Sequence, residues 1–484
     1  MKYKIYSDNP QSHFLTIEMV VENITSDRIK IQLPAWRPGR YELQNFAKNI
    51  QQFEVVDTFN QAVNFYKVSK DRWKIATKGI SSVVIKFRYF AFLPSANGVH
   101  ANAGSSYLDD QTMYINFINC LPYVSGRIVE PHQVSIDIPE NFQIACGLPR
   151  EGNTLLANDY YELVDSPMLA SPYLQKDSYQ VGDTDFTVWF LGDYQPNWEK
   201  IKADFKQFST HQIALMGDFP EKDYHFINWI MPNACYHGVE HRNSTMITLG
   251  PASEGDGLYA DLLGVSSHEL FHAWNICKIR PQEMMPYDLT QENYFETGFV
   301  VEGVTTYFGD LFLAQSGVFS ATEYIKELGA VLKRHFEQDG RAVQSLLESS
   351  YDLWLDGYTP SIPNRRVSIY QKGALVALLL DLTIRLKHQH QKSLNDVMKL
   401  MWERYGKTGI GYTLGDYRTA CELVYEGSLK AYFDECIAGA SPLENMTAAL
   451  LSEVGLDLQI TPEGKYHVEL IDAENENLKR WLNL

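Results

Sequence analysis

Ser267-His268-Glu269-Leu270-Phe271-His272-Ala273-Trp274-Asn275 is the stretch from which the rest of the 484-residue chain is read. It contains His-Glu-x-x-His. On a helix, two histidines four positions apart project from one face, one turn above the other, close enough to share one metal ion. The glutamate between them lies one step round the helix, where it is placed to take a proton from a water the metal activates rather than to bind the metal. This pattern predicts a zinc peptidase site. A motif this short also arises by chance in a chain with 13 histidines, so the remaining parts of the site have to be found elsewhere.

A catalytic zinc takes three protein ligands and leaves one position open. His268 and His272 are two. The third is expected on a second element, in Gly298-Phe299-Val300-Val301-Glu302-Gly303-Val304-Thr305-Thr306-Tyr307-Phe308, where Glu302 follows His272 by 30 positions in an otherwise apolar run. An unpaired carboxylate there is expensive, and a metal accounts for it. The predicted metal set is therefore His268, His272 and Glu302, with Glu269 as general base. The rival reading is two surface histidines on an ordinary helix and an unrelated buried glutamate. A tetrahedral intermediate also needs a donor for its charged oxygen. By itself the sequence marks only Tyr370, 68 positions after Glu302, opening Tyr370-Gln371-Lys372-Gly373-Ala374-Leu375 ahead of an apolar helix. A lone tyrosine at a helix start is as a rule packing, and Lys372 beside it reads as structural or solvated.

With 45% hydrophobic and 13% aromatic residues, the chain can bury sizeable cores, and its length predicts two to four domains. The formal net charge of -18 argues against a nucleic-acid or anionic-membrane surface, which needs clustered Lys and Arg. An acidic field suits a substrate carrying a free α-amino group, although high net charge more often serves solubility. Cys120, Cys146, Cys235, Cys277, Cys421 and Cys436 are scattered without a C-x-x-C pair, so reduced thiols are expected rather than a disulfide framework or thiolate zinc site. The start, Met1-Lys2-Tyr3-Lys4-Ile5-Tyr6, lacks the apolar run of a secretory signal. No stretch approaches the roughly 18 apolar residues of a membrane span. The expectation is a soluble, cytoplasmic protein with no membrane partner. A homo-oligomer is left open.

Along the chain, residues 1–175 read as an all-β domain. Ile29 to Leu33 alternates cleanly, with further strands at Thr16 to Glu22, Arg72 to Thr77, Ser82 to Phe92 and Gln133 to Ile138. Within it the proline-bracketed turn Leu33-Pro34-Ala35-Trp36-Arg37-Pro38-Gly39-Arg40-Tyr41 reads chiefly as structural packing, and secondarily as a contact wall for substrate. Residues 176–315 form the motif-bearing domain, with strands at Phe186 to Leu191, Tyr224 to Pro232 and Thr245 to Leu249. Its helices are expected at Trp198 to Met216, Leu258 to Cys277 and roughly Glu292 to Gln315. Residues 316–449 read as a helical domain centred on the apolar Leu375 to Leu386, and 450–484 as a short extension of two strands and a helix.

The string His268 to Pro281, Glu302-Gly303, and Tyr370 to Leu375, together with Leu33 to Tyr41 and Asn45 to Ile50, resembles the glycyl aminopeptidase family of thermolysin-like zinc metallopeptidases (gluzincins), over about residues 10 to 445. The resemblance implies an α+β multidomain fold. It would comprise an N-terminal β-sandwich-like domain, a thermolysin-like α/β catalytic domain and a mainly helical C-terminal domain. It implies Zn2+ on His268, His272 and Glu302, proton transfer by Glu269, and a transition-state role for Tyr370. Gly238-Val239-Glu240-His241 resembles the Gly-x-x-Glu segment with which such enzymes pair the peptide backbone and hold its amine. Glu240 is thereby the amine anchor and Gly238 the backbone contact. The sequence departs from that pattern at His237, where a second glycine is expected, and this leaves specificity open. Another departure lies after Leu450, where the residues are too few for the PDZ domain many members carry.

Around the metal, His268 and His272 are each expected to donate the other ring nitrogen to a carboxylate or carbonyl. Thr306 and Asp310, four and eight positions after Glu302, are on the appropriate side of the helix. His241 reads as structural and Trp274 as packing. The function implied is zinc-dependent removal of N-terminal residues from peptides, with small ones such as Gly or Ala favoured by resemblance. A zinc endopeptidase and a catalytically silent peptide-binding protein of the same fold are the alternatives.

Overall fold

The computed structural model describes residues 1–92, 105–359 and 362–484. Sheets dominate the N-terminal region and helices the C-terminal part, giving a multidomain α+β fold. In the N-terminal region a seven-stranded sheet runs in the order Arg150–Glu151, Thr154–Ala157, His132–Ile136, Lys2–Tyr6, Phe14–Val21, Val83–Phe90, Ile50–Asp57. Alternation drives its burial: every second residue of Val83–Phe90 is inside. A second sheet contains Arg28–Gln32 and Arg72–Ala76, and the two close on each other where Phe53 stacks on Trp73 with ring centroids 4.6 Å apart. Lys2–Tyr6 and Ile50–Asp57 are strands that alternation alone had not marked.

A mixed sheet follows, in which Thr184–Leu191, Asp223–Ile230 and Ser244–Gly250 are parallel and Cys235–His237 lies antiparallel along the last of them. Ser244–Gly250 is buried along its whole length, as expected of a strand covered on both faces. Trp189, Ile227, Trp229 and Met246 on one side pack with Tyr114, Ala145 and Leu169 of the N-terminal region. Phe226 and Ile230 point the other way into the main core, as do Phe205 and Phe208 of the helix Trp198–Met216. The N-terminal region is thus docked through an apolar layer and cannot be a loosely tethered module.

The motif lies on the helix Asp256–His272, which stops at His272 rather than at Cys277. The chain turns there through Ile276 at φ +105°, and the Asn275 side chain donates to the carbonyls of Val300 and Val301 and to Thr305 Oγ1 at 2.9, 3.2 and 3.0 Å. Ordered hydrogen bonding to the next element replaces the last turns expected from periodicity. That next element also differs from expectation. Helical structure begins at Gly298, passes through a π-helical stretch Phe299–Val304, and becomes regular over Thr305–Gln315. Glu302 sits in the widened stretch, a feature often found at functional sites.

The long helix Gln371–Lys387 is almost wholly buried and crosses this element at a pair of glycines. A Cβ on Gly303 would lie 2.4 Å from Gly373 Cα, so only glycine permits the approach. The crossing places Tyr370, at the start of the long helix, within electrostatic reach of Glu302. The hairpin Leu456–Ile460 and Tyr466–Leu470 is followed by the helix Glu476–Leu482, whose Trp481 is fully buried. Among the described residues no helix is long and apolar enough to cross a membrane.

Candidate active site

His268, His272 and Glu302 converge. The Nε2 atoms of the two histidines are 3.0 Å apart, and Glu302 Oε2 lies 3.3 Å from that of His272 and 3.8 Å from that of His268. Helical spacing aligns the histidines, and the element carrying Glu302 is strapped to theirs by Ser267 Oγ, which donates to the Gly309 carbonyl at 2.7 Å. His272 is oriented by its Nδ1, 2.7 Å from the Asn275 carbonyl oxygen. No hydrogen bond joins Asp310 to either histidine among the described residues. Its carboxyl is instead raised by burial, and by Glu327, to about 7. Thr306 donates to the backbone carbonyl of Glu302 at 2.8 Å.

A second group overlaps the first: ligand atoms of Glu240, Glu269 and His272 lie within 4.8 Å of one another. Burial pushes the Glu269 carboxyl well above the ordinary range; Glu240 and Glu302 add to this, while His272 works against it. Burial disfavours charge on His272 as well, but Glu302, Glu240 and Glu269 outweigh it and raise its pKa to about 10. A pocket that draws a proton onto His272 is one whose carboxylates call for a cation. Two imidazole nitrogens and a carboxylate oxygen, all converging, fit a tetrahedral zinc with an open position.

Gly238 is where the edge strand meets the motif helix. A Cβ there would lie 2.2 Å from Glu269 Oε1, so the absence of a side chain is what lets the glutamate occupy its place. The His237 ring, pushed down to about 3 by burial and by Arg37 and Arg40, stays neutral. Tyr370 is half-buried, and its phenol is raised well above its usual value by burial and by Glu302, Tyr358, Tyr41 and Glu240. It therefore remains a proton-bearing donor across the physiological range.

Other residues fall where structural roles are expected. Trp274 is fully buried and donates to the Asp218 carbonyl at 3.0 Å. His241 Nδ1 lies 3.0 Å from Asp165 Oδ1. Lys372 is buried rather than solvated, donating to the Gly439 carbonyl at 3.1 Å, and burial lowers it to about 8.

The proline-bracketed turn does more than pack. Trp36 donates to the Asp288 carbonyl at 2.7 Å, which fixes the turn against the motif-bearing domain. A Cβ on Gly39 would lie 2.8 Å from Glu240 Oε2, so the turn touches the amine-anchor candidate directly. Tyr41 and Tyr358 also face the carboxylates: burial and then Glu302 raise both phenols. Sequence reading gave the turn that holds Arg37 and Tyr41 a contact wall only as its secondary role, without singling those residues out, and missed Tyr358. The available signal was an arginine between two prolines beside a tryptophan, a poor place for a solvated charge.

A buried His-Glu-x-x-His face completed by a glutamate from the following helix, within an α+β fold, defines a metallopeptidase. The profile of the M61 peptidase N-terminal domain matches residues 2–172, and that of the M61 glycyl aminopeptidases matches residues 261–376, together more than half of the chain. The chain belongs to the M61 glycyl aminopeptidase family. No curated protein sequence matches it. The crystal structure of an aminopeptidase N family protein from Idiomarina loihiensis superposes with a TM-score of 0.88 at 28% identity, over 95% of this chain and 79% of that one. An M1 zinc metallopeptidase from Deinococcus radiodurans shares the fold at 12% identity, with a TM-score of 0.55 over 91% of this chain and 93% of its own. A mutant M1 zinc metallopeptidase from the same organism, bound to a Tyr-Ser-Ala substrate, superposes equally well, with a TM-score of 0.55 at 12% identity over 91% of this chain and 94% of that one.

Proposed function

We propose that this chain is a zinc aminopeptidase that releases N-terminal residues, small ones such as Gly or Ala foremost, from peptides. The observation that carries the reading is that Glu240 and Glu269 share one buried cluster with His272, while His268, His272 and Glu302 share the other. His268, His272 and Glu302 would hold the zinc, which, when bound, lowers the pKa of a coordinated water to about 7 and polarises the scissile carbonyl. Glu269 takes the water's proton at its carboxylate and returns it to the leaving amine. The Tyr370 hydroxyl donates to the oxygen on which charge develops. Glu240 accepts hydrogen bonds from the substrate α-ammonium, and the edge strand at Gly238 pairs with the peptide backbone.

An anchor for the amine whose carboxylate lies within 4.8 Å of Glu269 and His272 favours an exopeptidase over an endopeptidase. The intact set with Glu269 disfavours a silent binding protein, since binding alone requires no base. A cytoplasmic setting fits six cysteines, none of them cross-linked.

The experiment is metal analysis of the purified protein, then assay of free and N-acetylated peptides with wild type and Glu269→Gln. One zinc per chain, cleavage confined to free amines and an inactive Gln variant are expected. Absence of zinc, or a Gln variant as fast as wild type, would sink the mechanism. Equal cleavage of acetylated peptides would remove Glu240 from its role and favour the endopeptidase.

A further inference from the structure

We propose that Arg37 forms an anion-recognising corner of the site, and that the preferred substrate presents to it a carboxylate close to its α-amine. The proposal rests on the peptidase reading above. Arg37 is 1% exposed, yet its side chain makes a single hydrogen bond, from Nη1 to the Pro38 carbonyl at 3.1 Å. Its Nε and Nη2 are shielded from solvent and bond to nothing among the described residues. Buried guanidinium groups are otherwise paired. Here, Arg385 is held by Asp381 at 2.8 Å, and Arg40, in the same turn, pairs with Glu42 at 2.9 Å. Keeping donors of a charged group unbonded in the interior is costly, and the cost is sensible where an anion is to be bound.

The location supports this. Arg37 opens the turn closed by Arg40 N–H on its carbonyl at 3.3 Å, and the Gly39 of that turn rests against Glu240. The charge on Arg37 is felt by Glu240, by Glu269 and by His237. Glu269 Oε2, His237 Nε2 and the Tyr41 hydroxyl share its condition, shielded and unbonded. The base candidate and the unbonded His237 ring nitrogen are therefore near enough for the charge on the unbonded Arg37 guanidinium to act on both. Glu240 is not the missing partner of Arg37, because no ion pair forms between them among the described residues. The two instead offer a carboxylate and a guanidinium near each other, the complement of a substrate with an ammonium and a carboxylate a few ångströms apart. The planar guanidinium fork binds carboxylates in two-point fashion, which a lone ammonium cannot do.

Two substrate features supply that chemistry: the C-terminal carboxylate of a dipeptide, or the side chain of an acidic first residue. Measured kcat/KM for Gly-Ala and Ala-Ala against their C-terminal amides reads the first, and for amidated Asp-Ala against amidated Asn-Ala the second. Wild type is expected to prefer the carboxylate member of one pair by about ten- to a hundredfold, the value of a charge-assisted hydrogen bond. Arg37→Gln should erase that ratio and Arg37→Lys retain part of it. Equal kcat/KM within both pairs for wild type overturns the proposal even if the Gln variant fails to fold. A preference that persists in Arg37→Gln also overturns it. A guanidinium that merely offsets the charge of Glu240 and Glu269 would lower both members of a pair alike, which is a further overturning result. Equal cleavage of acids and amides leaves the peptidase reading intact, whereas failure to cleave any of these peptides sinks both.

Discussion

Two buried clusters of charge flank one helical element, and they are finished in opposite ways. At the far cluster, Asp381 Oδ2 accepts from the Tyr307 hydroxyl at 2.6 Å and from Arg385 Nε at 2.8 Å, and its Oδ1 accepts from the Leu394 N–H at 2.8 Å. Trp481 closes it by donating to the Tyr307 hydroxyl at 3.1 Å. At the near cluster, five residues earlier on the same element, Glu302 joins two histidines and two further glutamates, and Glu269 Oε2, Tyr41 and Arg37 hold unbonded polar atoms. A network with every member satisfied stabilises and positions. One that keeps buried polar atoms unbonded costs stability, and that cost is offset by the satisfied cluster beside it.

The sharpest way to break the comparison is at the base. Glu269→Gln should reduce kcat by about 10⁴-fold, the upper range for proton-transfer catalysis, while metal analysis shows unchanged zinc and the thermal midpoint does not fall. Tyr370→Phe should lower kcat by about 10²- to 10³-fold with little change in KM, since its donor is needed chiefly in the transition state. At the far cluster the outcome reverses. Asp381→Asn leaves Arg385 buried without its charge partner, and urea titration should show a loss of about 3–5 kcal/mol of unfolding free energy, while KM of the folded enzyme stays the same. An equal loss of stability in Glu269→Gln would erase the distinction.

The smallest effect concerns protons away from both clusters. His335, 2% exposed, is pushed down to about 3 by burial and by Lys372 and Arg341. In the unfolded chain it takes a proton as the pH falls through about 6.5. Unfolding is thus favoured at lower pH: the stability is present above about 6.5 and is lost as pH drops toward the folded value. His335→Leu should make the fall in thermal midpoint between pH 7 and pH 5 shallower, by no more than about one proton's worth of slope. A steeper slope would contradict the buried neutral ring.

Much of the site was legible because its parts are local. The i, i+4 spacing of His268 and His272 needs only a helix, and the apolar run around Glu302 signals burial wherever the run ends up. Cleanly alternating strands such as Val83–Phe90 were legible for the same reason. What escaped was set by contacts between distant segments. The helix was read through to Cys277, but Asn275 bonds to Val300 and Val301 end it at His272. The next helix was read from Glu292, but the widened stretch around Glu302 starts only at Phe299. The turn at Arg37 was read chiefly as packing, which holds for Trp36 but leaves out the approach of Gly39 to Glu240.

The sequence by itself therefore determined the identity of the reactive groups, because residue type and short spacing dictate which atoms can bind a metal or carry a proton. Tertiary structure alone decided that Tyr370 comes within electrostatic reach of Glu302, through the crossing of Gly303 and Gly373, and that the turn holding the unpaired Arg37 guanidinium rests through Gly39 against Glu240. The physical reason is that bonding periodicity acts over a few residues. Close approach of backbones and the pairing of buried charge depend on which surfaces the whole fold presses together.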